Sequence, residues 1–397
     1  MNKNSPTSQP LALGIIGLGR AFSLMLPTLT RHPLLKLTAA FDPRPEARTR
    51  FAEEFNATAH ASAEQLCADT AVRAVYVASP HQFHVEHVRL AAAHGKHVMV
   101  EKPMALSIAE CQAMIAAAKA TNVALLVGHS HSYDHPYSRA RELIAGGDYG
   151  RVRMITAFNS TDFLYRPRRP DELNTTLGGG VVFNQAAHQV DVVRLLANSK
   201  AVSVRAMTGN WDPTRPTEGA YSALISFANG VFASLTYNGY GHFDSDEFQD
   251  WIGELGQQRD PERYGTARKA LASAATQEQE SILRAARAYG SAGGVAFREV
   301  PAVAHNHFGL VIIACEKADL RPTPHGVLIY GNETRRLDPL TPPDVPRREV
   351  IDEFYAATIS GEPPLHSGQW GMATLEICLA ILRSANQGKE VTLMHQV

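Results

Sequence analysis

The 397-residue sequence predicts an α/β chain. A doubly wound parallel sheet should come first, followed by an α/β domain built on a largely antiparallel open sheet. Three observations predict this. Short apolar runs alternate with helical stretches over residues 11–128. A glycine turn, Gly17-Leu18-Gly19, joins the first run to the first helix. From Arg151 onward the apolar runs change to period two, the pattern of strands with one packed face.

Composition removes several classes of function. Lys+Arg number 38 and Asp+Glu 39, so there is no net field to attract nucleic acid or an anionic membrane. No apolar run reaches membrane-spanning length. Cys67, Cys111, Cys315 and Cys378 are scattered and form no CxxC pair. That suits a reducing cytoplasm and argues against a structural zinc site. Residues 1–10 are polar, with no hydrophobic segment after the lysine, and read as a disordered tail rather than a signal peptide.

The elements follow in order. Residues 13–18 are a strand that enters the glycine turn, and residues 21–30 a helix bent by Pro27. Residues 35–41 are the second strand, ending in Asp42. A helix at 44–55, a short strand at 57–60 and a helix at 62–68 come next. Residues 72–79 form a strand, 81–94 a helix and 97–100 another strand. Ser107 caps a helix at 109–120 with Glu110 in its first turn, and 123–128 is the last strand of the series. Past a connecting helix at 137–145, strands are expected at 152–158, 201–207, 220–227, 231–237, 309–313 and 327–330. A helix at 181–196 interrupts them. Residues 261–289 are a polar, alanine-rich helical stretch within an insertion at about 245–305. A proline-rich connector at 339–346 leads to helices at 347–359 and 369–385.

The glycine turn carries the first chemistry. Gly17 permits a tight turn, and Gly19 lets the backbone approach a pyrophosphate at the N-terminus of the helix that follows Arg20. Phe22 stands where the dinucleotide fingerprint has its third glycine. Asp42 ends the second strand about 20 residues on, the place of a ribose-binding acid. It should repel a 2′-phosphate and favour NAD, although Arg44 nearby leaves NADP open.

The second centre is Glu101-Lys102-Pro103, where the 97–100 strand ends. Ligands bind at that edge of an open α/β sheet. Removing a hydride from a carbinol also requires a base for the hydroxyl proton. A lysine beside a cationic nicotinamide has its ammonium form disfavoured, which suits it to that task.

With these motifs, and with Gly178-Gly179-Gly180 ahead of a helix containing His188, the chain resembles the Gfo/Idh/MocA oxidoreductases. The resemblance implies a Rossmann domain at 11–135, and a substrate-binding and oligomerisation domain at 136–397 whose open sheet pairs copies into a dimer or tetramer. It implies NAD contacts from Gly17, Gly19, Arg20, Ala21, Phe22, Asp42, Ser79, Pro80, His84, Glu101 and Lys102. It also makes Lys102 and His188 catalytic, with the residue at 184 as their partner. That residue is usually aspartate in the family, whereas this chain has Asn184.

Asn184, His188 and Asp191 are spaced to share one helix face, so Asp191 is expected to orient His188. Asparagine takes no proton and leaves less negative charge in the pocket, which suits an anionic substrate. Arg166, Arg168 and Arg169 precede the glycine run and are candidates to bind carboxylates. Further stretches, among them WDPTRPTEGAYSALISF from Trp211 and HFDSDEFQDWIGELG from His242, resemble the phthalate 4,5-cis-dihydrodiol dehydrogenases within the family. The implied reaction is NAD-dependent oxidation of an aromatic diacid dihydrodiol to 4,5-dihydroxyphthalate, with Lys102, Arg166, Arg168, Arg169, Asn184 and His188 on the substrate. The alternatives are a sugar, inositol or other polyol dehydrogenase and, less favoured, a non-catalytic NAD sensor. His81, His84, His129 and His131 also fall at the ligand edge, but no acidic ligands pair with them and no metal is expected.

Overall fold

The computed structural model describes residues 9–128, 130–291 and 302–397. His129, residues 1–8 of the expected tail and residues 292–301 of the insertion lie outside the described residues.

The buried runs of the first half form six parallel strands: β1 (Leu11–Ile16), β2 (Leu35–Phe41), β3 (Thr58–Ala59), β4 (Ala74–Val77), β5 (His97–Val100) and β6 (Leu125–Val127). Their order is β3-β2-β1-β4-β5-β6. The order reverses between β1 and β4, so a crevice opens there beyond the strands' carboxyl ends. The intervening helices are α1 (Arg20–Arg31), α2 (Pro45–Phe55), α3 (Ala63–Ala68), α4 (His84–Ala93) and α5 (Ile108–Ala120). Leu13, Ile15 and Ile16 of β1 are fully buried, each contributing roughly 1.5–3 kcal/mol. Ser107 and Glu110 form a reciprocal capping box at the start of α5.

After α6 (His135–Ala145), β7 (Val152–Ser160) begins a nine-stranded sheet. The chain continues through α7 (Ala187–Ala197), β8 (Ala201–Gly209), β9 (Ala220–Phe227) and β10 (Phe232–Asn238). Two short helices of the insertion, α8 (Thr266–Ala272) and α9 (Gln277–Ala285), come next. Strands β11 (Leu310–Cys315), β12 (Asp319–Thr323), β13 (Gly326–Tyr330) and β14 (Arg335–Pro339) precede α10 (Arg348–Tyr355), α11 (Gly368–Gln387) and β15 (Val391–Thr392). The order is β14-β13-β12-β11-β7-β10-β9-β8-β15, and every pair is antiparallel except β7–β10. One face packs on α7 and α11, and the other is open.

Several expectations need correction. β12 and β14 were not foreseen, because a proline interrupts one and RRLDP lacks apolar alternation. The 181–196 helix is two pieces, a π turn at Val182–Ala186 followed by α7. The carboxyl-terminal helices do not serve the second sheet alone. Val350, Ile351 and Phe354 of α10 join the core of the first sheet, and so does Leu375 of α11. The insertion also reaches the first domain. Tyr289 packs edge-on against Phe22 at 5.3 Å between centroids and hydrogen-bonds Glu54 at 2.7 Å.

Candidate active site

The glycine turn is built for close approach. Gly17 has φ +97°, and a Cβ there would lie 2.8 Å from the backbone of Ala78 and Ser79 at the end of β4. Gly19 faces open space and caps α1 without a side chain, so the first amides of the helix face the crevice. These features fit a pyrophosphate. Phe22, in place of the third glycine, is fully buried against Phe51 and Tyr289. It therefore supports the turn from below and does not touch the crevice with its side chain.

Asp42 differs from its expected role. Its carboxylate accepts from Leu18 N at 2.7 Å and from Arg44 N, Nε and Nη2 at 3.0, 2.9 and 3.3 Å. Four donors fill its acceptor sites. Asp42 thus anchors the glycine turn and Arg44, and it is not a free ribose acceptor. Arg44 in turn donates to the carbonyls of Leu18 and Tyr289.

His84 is also corrected. It is fully buried, and its ring nitrogens meet the carbonyls of Ser79 at 2.9 Å and Met104 at 3.2 Å. It is a strut between the Ser79-Pro80 turn and the Lys102 loop. Glu101 is likewise buried, taking a hydrogen bond from the Tyr76 hydroxyl and one from its neighbour's amide.

The Lys102–Pro103 peptide is cis. Lys102 Nζ donates to the backbone carbonyl of Asn184 at 2.9 Å. Burial lowers the lysine pKa, and Glu101 and Glu254 oppose that shift without cancelling it. Asn184 lies in the π turn, and its amide donates to the carbonyls of Gly180 and Gly178 at 2.7 and 3.2 Å. Its carbonyl rather than its side chain thus meets the lysine. The glycine run is sterically required, since a Cβ on Gly180 would stand 2.1 Å from Glu218.

The π turn adds a residue per turn and shifts the spacing between 184 and 191. His188 and Asp191 both lie in regular α7, and the Asp191 carboxylate is engaged elsewhere. It accepts instead from Ser132, Trp370 and Thr374. His188 packs with His131 at 4.8 Å and Phe308 at 4.9 Å between centroids. His131 lies between two carboxylates, Asp134 at 2.6 Å and Glu254 at 3.3 Å. Burial opposes a charge on His131, but the two acids outweigh it and raise the pKa.

The three arginines separate. Arg169 is exposed and pairs with Asp171 at 3.2 Å. Arg168 is buried over the Phe163 ring at 3.8 Å and donates to the Phe163 carbonyl. Only Arg166 is half-exposed, held by Asp162 at 3.1 Å. Arg20 is close enough to Arg166 and Glu254 to feel both charges, and burial lowers its pKa to about 10.

Residues 11–129 match the oxidoreductase family with an NAD-binding Rossmann fold, and residues 137–256 match the GFO/IDH/MocA C-terminal domain. A 1-carboxy-3-chloro-3,4-dihydroxycyclohexa-1,5-diene dehydrogenase of Comamonas testosteroni is 47% identical over 375 residues, 94% of each chain. The chain belongs to the Gfo/Idh/MocA oxidoreductase family.

A crystal structure from Bordetella bronchiseptica RB50 superposes with a TM-score of 0.91 at 40% identity, covering 97% of this chain and 100% of that one. The fold is also that of levoglucosan dehydrogenase solved with NADH, at a TM-score of 0.71 and 19% identity, covering 97% and 99% of the two chains. This Gfo/Idh/MocA member is an NAD-dependent dehydrogenase, and its glycine turn has the space such a cofactor needs. NAD supplies the hydride acceptor. Glu254 is the cleft residue that sequence reasoning missed. It lies in the HFDSDEFQDWIGELG stretch from His242, but nothing in that stretch singled it out, and it reaches His131 only through the fold. No described helix is long and apolar enough to cross a membrane.

Proposed function

We propose that the chain oxidises a carboxylated cis-dihydrodiol, and that the phthalate 4,5-cis-dihydrodiol is the first substrate to test. The observation that carries this is the half-buried Lys102 amine at the end of β5, beside a cleft that also holds Arg20 and Arg166. A neutral amine at that position accepts the hydroxyl proton as the hydride leaves the carbinol carbon. Arg166 and Arg20 supply two cations for carboxylate. His188, packed between His131 and Phe308, walls the ring. The ketone formed tautomerises to an aromatic catechol, which draws the reaction forward.

The relative from Comamonas acts, by its name, on a ring with one carboxyl and one chlorine. That favours a second reading in which a monocarboxylate ring is the substrate and one arginine suffices. A direct assay separates the two. NAD reduction is followed with the phthalate dihydrodiol, the chlorinated monocarboxylate dihydrodiol, inositol and glucose. Reduction with the phthalate diol and release of 4,5-dihydroxyphthalate supports the first reading. Preference for the monocarboxylate supports the second, and reduction with a polyol alone overturns both.

The proposal includes a homo-oligomer formed through the open sheet face, where Met154, Met207, Leu224 and Phe232 are exposed on neighbouring strands. Exposed apolar side chains gathered on one sheet face mark a candidate interaction surface. A cytoplasmic location is also proposed, supported by four free cysteines.

A further inference from the structure

Asp191 is the residue of the His188 helix that the chemistry above leaves unused. It is the inner end of a hydrogen-bond chain that runs outward. Ser132 Oγ donates to Asp191 Oδ2. The same Oγ lies 2.8 Å from His366 Nε2, and His366 Nδ1 lies 2.8 Å from Glu353 Oε2. Ser132, Asp191 and His366 are buried, whereas the Glu353 side chain is 21% exposed. The geometry is held from several sides. Tyr133 stacks on the His366 ring at 3.6 Å between centroids, and Glu353 also accepts the His366 amide at 2.8 Å. Trp370 and Thr374 hold the other Asp191 oxygen at 2.5 and 2.8 Å.

Counting protons shows what this chain can do. It has three contacts: Asp191 to Ser132, Ser132 to His366, and His366 to Glu353. Two ionised carboxylates bring no hydrogen, the hydroxyl brings one and a neutral imidazole brings one. The chain is therefore one proton short and has a place for one that arrives.

The inner end shares a cavity with Lys102. A cavity of about 20 Å³ is lined by Lys102, Ser130, Asp191, Trp370, Thr374 and Cys378, among others. That is room for one water. Ser130 Oγ, buried there with no hydrogen-bond partner among the described residues, offers such a water a polar contact.

We propose that Asp191, Ser132, His366 and Glu353 conduct the proton released by substrate oxidation from Lys102 to solvent. The inference rests on Lys102 as the acceptor of that proton. As the C–H hydride leaves for NAD, the substrate O–H bond breaks and its proton forms an N–H bond on Lys102. The ammonium passes a proton through the cavity water to Asp191. Asp191 protonates Ser132 Oγ while the Ser132 hydrogen moves to His366 Nε2. His366 then releases its Nδ1 proton to Glu353, which loses it to water. One proton leaves for the hydride transferred in that turnover, His366 is left as its Nε2–H tautomer, and no residue of the chain is oxidised or reduced.

The test is a single-turnover experiment on the full chain with NAD and the best substrate from the assay above. NADH is followed by absorbance and released protons by a pH-indicator dye in weak buffer. In the wild type the two signals should rise together. In Ser132→Ala the ratio of proton-release rate to NADH-formation rate should fall at least tenfold. Glu353→Gln, near-isosteric and at the partly exposed end, should show the same lag and covers the case in which the buried serine variant folds poorly. Protons that keep step with NADH in Glu353→Gln would overturn the relay. A wild type that reduces no NAD would overturn the functional reading and the relay with it, an outcome distinct from synchronous signals in the variants.

Discussion

Lys102 Nζ and the backbone carbonyl of Asn184 meet at 2.9 Å, tying the end of β5 to the π turn ahead of α7. The link joins the two domains at the point where hydride and proton must part. Lys102→Met keeps the stem and removes the amine. We expect kcat to fall by roughly a hundred- to ten-thousand-fold, the range of a lost general base. NAD affinity, measured by fluorescence titration, should change little. Activity within tenfold of the wild type would refute the assignment.

The same amine sets a pH dependence. Burial lowers its pKa, and only the neutral form accepts a proton. kcat/KM should therefore rise with pH and level off below the ordinary lysine range near 10.4. A profile still climbing at that value would show a lysine that burial does not tune. Linkage has the same sign: between the lowered folded pKa and the unfolded one, the unfolded chain binds the extra proton, so this residue's contribution to stability rises with pH across that window alone.

Much of this was legible in the sequence. The strand-glycine-helix start, the Glu101-Lys102-Pro103 strand end and the glycine run are local patterns, and local patterns survive folding. What failed was contact across distance. Asp42 and Arg44 are two residues apart, yet the saturation of Asp42 also needs Leu18, on the far side of α1. The spacing of Asn184 and His188 implied one face, but a π turn has no signature in residue periodicity, and the partners that claim Asp191 come from distant segments. Glu254 was invisible because its partner, His131, lies 123 residues away.

Arg166 and Arg169 should separate under mutation. Arg166 borders the cleft, while Arg169 is exposed and engaged with Asp171. Arg166→Ala should raise KM for a carboxylated dihydrodiol by roughly 10- to 100-fold, the worth of one charged hydrogen bond. Arg169→Ala should leave KM within twofold. Equal effects would mean that the loop adopts another arrangement around substrate.

Tyr289 holds the insertion to the nucleotide domain. Its ring packs on Phe22, Phe51 and Phe55, and its carbonyl accepts from Arg44 at 3.1 Å. Tyr289→Ala should cost about 3 kcal/mol in that contact. Because Arg44 also holds Asp42, the loss should reach the cofactor end. NAD should bind more weakly, with KM for NAD rising more than KM for the alcohol. An unchanged KM for NAD would show that the latch serves stability alone.

The open sheet face makes the last prediction. Leu224 on β9 pairs across the sheet with Ser234 on β10 and Arg205 on β8, near the exposed Phe232 and Met207. If two copies meet here about a two-fold axis, each substitution enters the interface twice. Leu224→Lys then sets an ammonium from each copy into the contact among Met154 and Phe232, beside the like charge of its own cross-strand neighbour Arg205. Desolvation alone would outweigh what one leucine contributes. Sedimentation velocity should show the wild type as a dimer or larger and the variant shifted toward monomer, with its secondary structure intact by circular dichroism. A wild type that sediments as a monomer at micromolar concentration would remove the interface from this face.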